Sequence, residues 1–123
     1  MQYNDTDRKI ENLLPLDPLD FYIFSALMGK PLHGYEIKKT VEAEMKKTVP
    51  TASLYRRLRT MREGGLIDQV EQPIKDDDPR RQYFKVTAFG QAVYAAEYNR
   101  MRAIVFKQAT SVEQEQTIPI GGW

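Results

Sequence analysis

The chain of 123 residues contains no cysteine, one histidine and one tryptophan. The absence of cysteine excludes disulfides, thiolate zinc sites and thiol catalysis, and it favours a cytoplasmic protein. The single histidine, His33, has no companions nearby that would complete a metal site or an acid–base pair. The sequence also has no phosphate-binding glycine loop and no nucleophile with a partnered base. We therefore expect no metal, no other cofactor and no enzymatic activity.

A long hydrophobic run and an excess of one charge are both missing as well. The longest uncharged apolar run, residues 21–29, is far too short to cross a bilayer, so we expect no contact with a membrane. Eighteen basic residues against seventeen acidic ones give a net charge of +1. Contact with an acidic partner must therefore depend on a local patch of charge. The length corresponds to one domain.

Hydrophobic spacing predicts three short helices in succession after an irregular start. Residues 17–28, 34–47 and 51–63 each place apolar side chains three or four positions apart. Thr51 or Ser53 is expected to cap the third helix, because hydroxyl side chains accept hydrogen bonds from free amides at a helix start. In the first sixteen residues only Ile10, Leu13 and Leu14 have helical spacing, which corresponds to one or two amphipathic turns, and this segment is treated as an arm.

The pattern changes after the third helix. Residues 66–71 and 82–86 are β-prone and are joined by a polar, turn-rich segment, which predicts a hairpin. Thr87 is expected to cap a long final helix. The fold class is therefore mainly α: a winged helix-turn-helix of three helices and a two-stranded hairpin wing, followed by a long C-terminal dimerisation helix. The expected units are an arm (1–16), a winged-helix domain (17–87), a dimerisation helix (88–110) and a flexible tail (111–123).

Apolar residues of the long helix lie on two opposite sides when the chain is advanced by 100° per residue. One side is sufficient to complete the core of its own protomer. The other needs a further partner, and a second copy of the chain is the simplest one. The candidate dimer contacts are Phe89, Val93, Tyr94, Tyr98, Met101, Ile104 and Val105.

The third helix concentrates the positive charge. Six basic residues and no acidic residue lie between Lys46 and Arg62. Small residues precede the arginines on its polar face, which suits a helix whose first turn enters the major groove, with Arg56 paired to a guanine. A solvated arginine-rich face is the alternative, but such faces usually alternate with acids. The candidate base-reading residues are Ala52, Ser53 and Arg56, and the candidate phosphate contacts are Tyr35, Tyr55, Arg57, Arg59 and Arg62.

The hairpin loop has a mixed charge. Lys75, Arg80 and Arg81 can reach the DNA backbone, whereas the three aspartates at 76–78 would be repelled by phosphate. We expect the base of the wing to touch DNA and its tip to stay away. An ordinary charged turn is an equally good interpretation of this loop taken alone.

Four segments, in order, carry a resemblance to a known family. They are Leu32-His33-Gly34-Tyr35-Glu36-Ile37, then Ser53-Leu54-Tyr55 with Leu58, then Glu63-Gly64-Gly65-Leu66-Ile67, and then Arg81 to Thr87 ending in Gly90. Together they resemble the successive signatures of PadR-type transcriptional regulators. The resemblance implies a homodimeric repressor that binds an inverted-repeat operator in double-stranded DNA. Some members of the shorter branch respond to aromatic or multidrug ligands between the C-terminal helices, which implies, by analogy only, a small aromatic effector.

The chain departs from the family pattern at three places. Thr51-Ala52 stands where the family usually has proline and glycine, and the wing carries three aspartates where a short basic wing is usual. The long helix lacks the tryptophan expected of multidrug-type members, so the sequence supports ligand sensing only by analogy. Tyr94, Tyr98 and Phe106 can line a ligand pocket, but an aromatic stripe at helical spacing is more often interface packing. His33 is expected to pack or to hydrogen bond at a helix start. The rival functions are a protein-interaction module and a structural, plasmid-type DNA binder without direct gene control.

Overall fold

The computed structural model describes residues 4–71 and 80–117, with side chains described through residue 107. Within these ranges it contains five helices and one small antiparallel sheet, which form a winged helix preceded by an extra helix. The predicted order of three helices, hairpin and long helix is confirmed. In chain order the elements are α1 (Asp5–Leu13), α2 (Pro18–Leu27), β1 (Leu32–His33), α3 (Gly34–Met45), α4 (Thr51–Glu63), β2 (Ile67–Val70), β3 (Tyr83–Val86) and α5 (Ala88–Thr117).

The expected N-terminal arm contains a real helix, α1. Asn4 and Asp7 form a capping box, in which the Asn4 side chain accepts from the Asp7 amide at 2.9 Å and the Asp7 carboxylate accepts from the Asn4 amide at 3.2 Å. Ile10 packs half-buried against the core. The backbone amide of Leu16 then donates to Glu97 on α5 at 2.7 Å. The arm assignment is therefore corrected, because caps and contacts with α5 stabilise a segment too short to predict from periodicity alone.

The core lies between α2, α3, α4, the sheet and the first turns of α5. Asp17 caps α2 as predicted, since its carboxylate accepts from the Leu19 amide at 2.8 Å. Each fully buried aliphatic or aromatic side chain contributes about 1.5–3 kcal/mol relative to exposure. The side chains with almost no exposed surface are Ile23, Phe24, Ile37, Val41, Leu54, Leu58, Met61, Ile67 and Val93.

A carboxylate organises the turn between α3 and α4. Glu42 accepts from the Val49 amide at 2.8 Å and from Lys38 Nζ at 3.2 Å. These two donors, the Val49 amide first, lower the pKa of the Glu42 carboxyl. Helix α4 then begins after Pro50 without any side-chain cap, so the prediction that Thr51 or Ser53 caps it is wrong. Pro50 occupies the N-cap position instead, where its fixed φ is compatible with the backbone that leads into a helix.

The sheet has one strand more than predicted. The central strand β3 pairs antiparallel with β2 on one side and with the two-residue β1 on the other, where His33 lies opposite Tyr83. A two-residue strand carries no detectable period, which is why the sequence did not reveal β1. After β3, Thr87 Oγ1 accepts from the Gly90 amide at 2.9 Å and so caps α5 as predicted. A Cβ at Gly90 would overlap the Leu66 carbonyl oxygen, so glycine allows α5 to pack against this turn.

Helix α5 is longer than expected and is anchored at its start to its own protomer. It reaches Thr117, so residues 111–117 continue the helix instead of belonging to a tail. Val93 is fully buried, and Phe89 and Tyr94 pack half-buried against the same core. The Tyr94 ring stacks on Phe21 of α2, with ring centroids 4.9 Å apart. Val93 therefore belongs to the core of its own protomer, which corrects its assignment as a dimer contact, and Phe89 and Tyr94 also have partners within the protomer.

Candidate nucleic-acid interface

The rotation of α4 about its axis is fixed by three inward side chains. Leu54, Leu58 and Met61 are at most 2% exposed and lie in the core. Ser53 is half-buried at the edge of this face. The exposed side chains of α4 are those of Thr51, Ala52, Tyr55, Arg56, Arg59, Thr60, Arg62 and Glu63. This agrees with the helical pattern and leaves five of the seven candidate DNA contacts of α4 exposed.

Arg57 is the exception among the arginines of α4. Its Nε and Nη2 donate to the two carboxylate oxygens of Asp20 on α2 at 2.8 and 2.6 Å. Asp20 is only 5% exposed, and a buried carboxylate needs such a partner. The same hydrogen bonds raise the pKa of the Arg57 guanidinium. Arg57 is therefore engaged in joining α4 to α2, which corrects its assignment as a phosphate contact.

The other arginines of α4 face solvent. Within residues 4–71 and 80–117, neither Arg56 nor Arg59 has a side-chain hydrogen bond or an ion pair. Arg62 Nη1 donates to the neutral Gln69 side chain at 2.8 Å, and no carboxylate among the described residues forms an ion pair with Arg62. An exposed helix surface with three uncompensated guanidinium groups attracts a polyanion.

His33 caps α3. Its Nδ1 accepts from the Glu36 amide at 3.3 Å, and the Glu36 carboxylate accepts from the His33 amide at 3.2 Å. The ring also meets Tyr83 edge-on, with centroids 5.3 Å apart. The predicted helix-start role of His33 is confirmed. Beside it, Tyr35 is 60% exposed and lies under Lys39 Nζ, which is 5.4 Å from the centre of its ring.

A groove separates α4 from the wing. The Tyr55 ring lies against Gly34, where any Cβ would overlap its hydroxyl, and it lines two clefts, of about 370 and 150 Å³. Phe84 and Gln82 line both clefts. Arg80 and Arg81, both exposed, line the larger cleft, and Arg59 and Arg62 line the smaller one.

The sequence does not predict that Gln82 lines these clefts, because an uncharged residue just before a strand gives no electrostatic signal. Its position directly after Arg81 in the wing is the only clue that the sequence offers. The predictions for Lys75 and for the aspartates at 76–78 lie outside the described residues.

The second half of α5 exposes apolar side chains. Tyr98 is 52% exposed, Ile104 47%, Val105 64% and Phe106 71%, and Met101 is half-buried. A cluster of exposed large apolar side chains on one helix segment is typical of a protein interface. A shallow pocket of about 280 Å³ beside Phe106 is lined by Asn99, Arg102 and Ala103.

Neither a metal nor a membrane site is visible in the described part of the chain. No three histidine, cysteine or acidic side chains there come together in a way that could bind a metal ion. Across the same two ranges, no helix combines the length and the apolar composition that a membrane span requires.

The helix-turn-helix, the hairpin beside it and the basic exposed face of α4 define a winged-helix protein of the DNA-binding type. Residues 23–96 match the model of the Transcriptional regulator PadR-like family, and the chain belongs to this family. The predicted membership is thereby confirmed. Since members are transcription regulators, the chain is a DNA-binding transcription regulator and not an enzyme.

Solved structures agree with this fold. A PadR family transcription regulator from Clostridium difficile is 23% identical, with a TM-score of 0.64, 78% of this chain covered and 99% of the other. A PadR family regulator from Eggerthella lenta is 18% identical, with a TM-score of 0.61 and coverage of 86% and 87%. A mutant MarR from E. coli is 22% identical, with a TM-score of 0.64 and coverage of 86% and 74%. No curated protein matches the chain in sequence.

Proposed function

We propose that the chain is a homodimeric repressor that binds an inverted-repeat operator in double-stranded DNA. The observation that carries this proposal is the exposed face of α4 from Thr51 to Arg62, a stretch without an acidic residue, on which Arg56 and Arg59 have no partner among the described residues. Maintaining uncompensated charges close together is unfavourable unless a partner of opposite charge binds them.

Base reading is assigned to the first turns of α4. Ala52 and Ser53 are small, so the helix can approach the base edges closely, and Arg56 follows one turn later on the exposed side. A guanidinium can donate two hydrogen bonds to one guanine in the major groove, a pairing that discriminates by about 1–3 kcal/mol. The amides at the start of α4 have no side-chain cap and are free to meet a phosphate.

Phosphate contacts surround this reading face. Arg59 and Arg62 lie on the exposed side of α4, and both line the smaller cleft beside the wing. Contacts of this kind position the protein on the duplex without reading its sequence. The proposed set is Tyr35, Tyr55, Arg59, Arg62, Arg80 and Arg81, with Lys75 of the wing and without Arg57.

Dimerisation is assigned to the second half of α5. The proposed dimer contacts are Tyr98, Met101, Ile104 and Val105, which the sequence predicts, and the strongly exposed Phe106. Pairing about a twofold axis would place two α4 helices roughly 34 Å apart, as entry into successive major grooves requires. An effector between the C-terminal helices would act by changing the angle between protomers. That effector and a cytoplasmic location stay predictions.

The function is tested by comparing two arginine variants on two DNAs. An operator is first selected from a random duplex library, and binding is then measured on it and on random duplex at several salt concentrations. Arg56→Ala is expected to lose about 1–3 kcal/mol on the operator and much less on random DNA. Arg59→Ala should weaken both and reduce the salt slope by about 1.

Lys9→Ala, on the exposed surface of α1, removes the same charge elsewhere and serves as the control. Equal losses on both DNAs for Arg56→Ala would remove this residue from base reading. Absence of salt-dependent binding would instead indicate a protein-interaction module. Protection of an extended array, in place of a single palindrome, would indicate the structural DNA binder.

A further inference from the structure

The first turn of α4, to which base reading is assigned, has few contacts of its own to hold it. The helix begins after Pro50 without a side-chain cap. Ala52 is exposed, and the Ser53 hydroxyl forms no hydrogen bond with any group in the described part of the chain. The first fully buried side chain of α4 is that of Leu54. The placement of this turn therefore depends on Leu54 and on the segment that precedes Pro50.

One residue of α3, Glu42, holds both ends of that segment. Its backbone carbonyl accepts from the amide of Lys46, the residue that ends α3, and from the amide of Lys47 at 3.3 Å. Its carboxylate Oε2 accepts from the amide of Val49 at 2.8 Å. Val49 is only 4% exposed, and a buried backbone amide requires an acceptor. The turn from Lys46 to Val49 is thus hydrogen bonded to Glu42 at its start and at its end.

Lys38 orients the Glu42 carboxylate. It lies one helical turn earlier on α3, and its Nζ donates to the same oxygen, Oε2, at 3.2 Å. The two side chains are only 23% and 24% exposed, so the contact is partly shielded from water. The Val49 amide, followed by Lys38, lowers the pKa of the Glu42 carboxyl, which is therefore ionised at neutral pH and accepts strongly. An acceptor that is oriented in this way keeps Val49 at a fixed distance from α3.

Base reading and phosphate binding differ in how much displacement of α4 they tolerate. Hydrogen bonds are effective only between about 2.7 and 3.2 Å, and a short side chain such as that of Ser53 cannot compensate for a displaced backbone. Arg59 and Arg62 have long side chains that can adapt. They also lie near the end of α4, which Leu58 and Met61 hold in the core. A shift of the first turn would therefore impair base reading and leave the phosphate contacts in place.

We propose that Glu42 is a positioning residue for base reading, which acts through the Val49 amide on the first turn of α4. It acts without touching DNA, and it determines the preference for operator over random duplex instead of the affinity for DNA in general. This proposal rests on the proposed function and adds a determinant of sequence specificity that lies outside α4 and the wing.

The test compares the affinities of full-chain variants for the selected operator and for a random-sequence duplex. Glu42→Ala removes the acceptor and should weaken operator binding about tenfold or more, with a loss of less than about threefold on random duplex. Glu44→Ala, at an exposed position of α3, removes the same charge and should leave the ratio of the two affinities unchanged. Glu42→Gln retains an oxygen that can accept from the Val49 amide and should keep most of this ratio.

A further variant and a second measurement make the test independent of how well Glu42→Ala folds. Glu42→Asp keeps the charge but is shorter by one methylene, which withdraws the acceptor from Val49, and it should also lower the ratio. Hydrogen exchange of the Val49 amide should be faster in Glu42→Asp than in the wild-type protein. The amide of Leu58, in the middle of α4, should stay protected.

The outcomes separate this proposal from the function on which it rests. If Glu42→Ala and Glu42→Asp weaken binding to both duplexes by the same factor, or leave the ratio at its wild-type value, the positioning role is overturned. A ratio in Glu42→Gln as low as that in Glu42→Ala would also overturn it, because the Val49 amide would not be the route. If the wild-type protein itself prefers no duplex, the proposed function fails and the positioning role fails with it.

Discussion

Arg56 and Arg57 are neighbours on α4, yet the first extends into solvent and the second binds a buried carboxylate on α2. The 100° step of the helix separates them, so one lies on the exposed surface of α4 and the other at the boundary with the core. A helix rich in basic residues is therefore not a binding surface on all of its sides. The charge that is left uncompensated, and not the number of arginines, defines the candidate interface.

The largest expected effect is a difference in the free energy of unfolding between variants of these two arginines. Arg57→Ala leaves the Asp20 carboxylate buried without its partner, and we expect it to lower the free energy of unfolding by about 3 kcal/mol. Arg56→Ala should change that free energy by no more than about 0.5 kcal/mol. Urea unfolding of both variants measures the difference. Equal stability of the two variants would contradict the structural role of Arg57.

A second comparison contrasts the two ends of the described part of α5. Near its start, the Glu97 carboxylate, 2% exposed, accepts from Arg100 and from the Leu16 amide, whereas the end beyond Met101 is exposed on most sides. Glu97→Gln weakens the hydrogen bond from the Leu16 amide, which joins the segment between α1 and α2 to α5. We expect a loss of about 1–3 kcal/mol, measured by urea unfolding at neutral pH. A loss no larger than that of an exposed substitution such as Gln91→Glu would contradict this role.

The same carboxylate predicts the direction of a pH effect. The Arg100 hydrogen bond, followed by that of the Leu16 amide, holds the pKa of Glu97 below its usual value. A carboxyl whose pKa is lower in the folded state stabilises the fold above its unfolded pKa, and this contribution disappears as pH falls through the folded pKa. Wild-type stability should therefore decrease more steeply below the unfolded pKa than that of Glu97→Gln. Parallel acid-unfolding curves for the two proteins would show that Glu97 contributes nothing to this slope.

The smallest expected effect concerns the turn that leads into α4. Lys46 ends α3 with φ of 57° and ψ of 39°, a left-handed conformation that favours glycine. Lys46→Gly should stabilise the fold by about 0.5–1 kcal/mol, because it relieves this conformation. Thermal unfolding measures the gain, and Lys47→Gly, one residue later and without positive φ, is the control. If both variants lose stability equally, the conformation at Lys46 is not strained.

The sequence predicted what depends on periodicity and missed what depends on distant partners. The extent of α4 and its inward face follow from the spacing of Leu54, Leu58 and Met61. The role of Arg57 does not, because its partner is 37 residues away and no local pattern joins them. A helical wheel likewise shows two apolar sides on α5, but only the fold shows that Tyr94 stacks on Phe21 of α2.

Hydroxyl-radical footprinting of the selected operator, combined with the mass of the complex in solution, tests the central claim most directly. The account predicts two protomers per duplex and two protected segments one helical turn apart, about 10 base pairs between centres. It further predicts that Arg56→Ala weakens both protections while the protein stays folded. A single bound protomer, or protection that Arg56→Ala leaves unchanged, would contradict the claim that paired α4 helices bind successive major grooves.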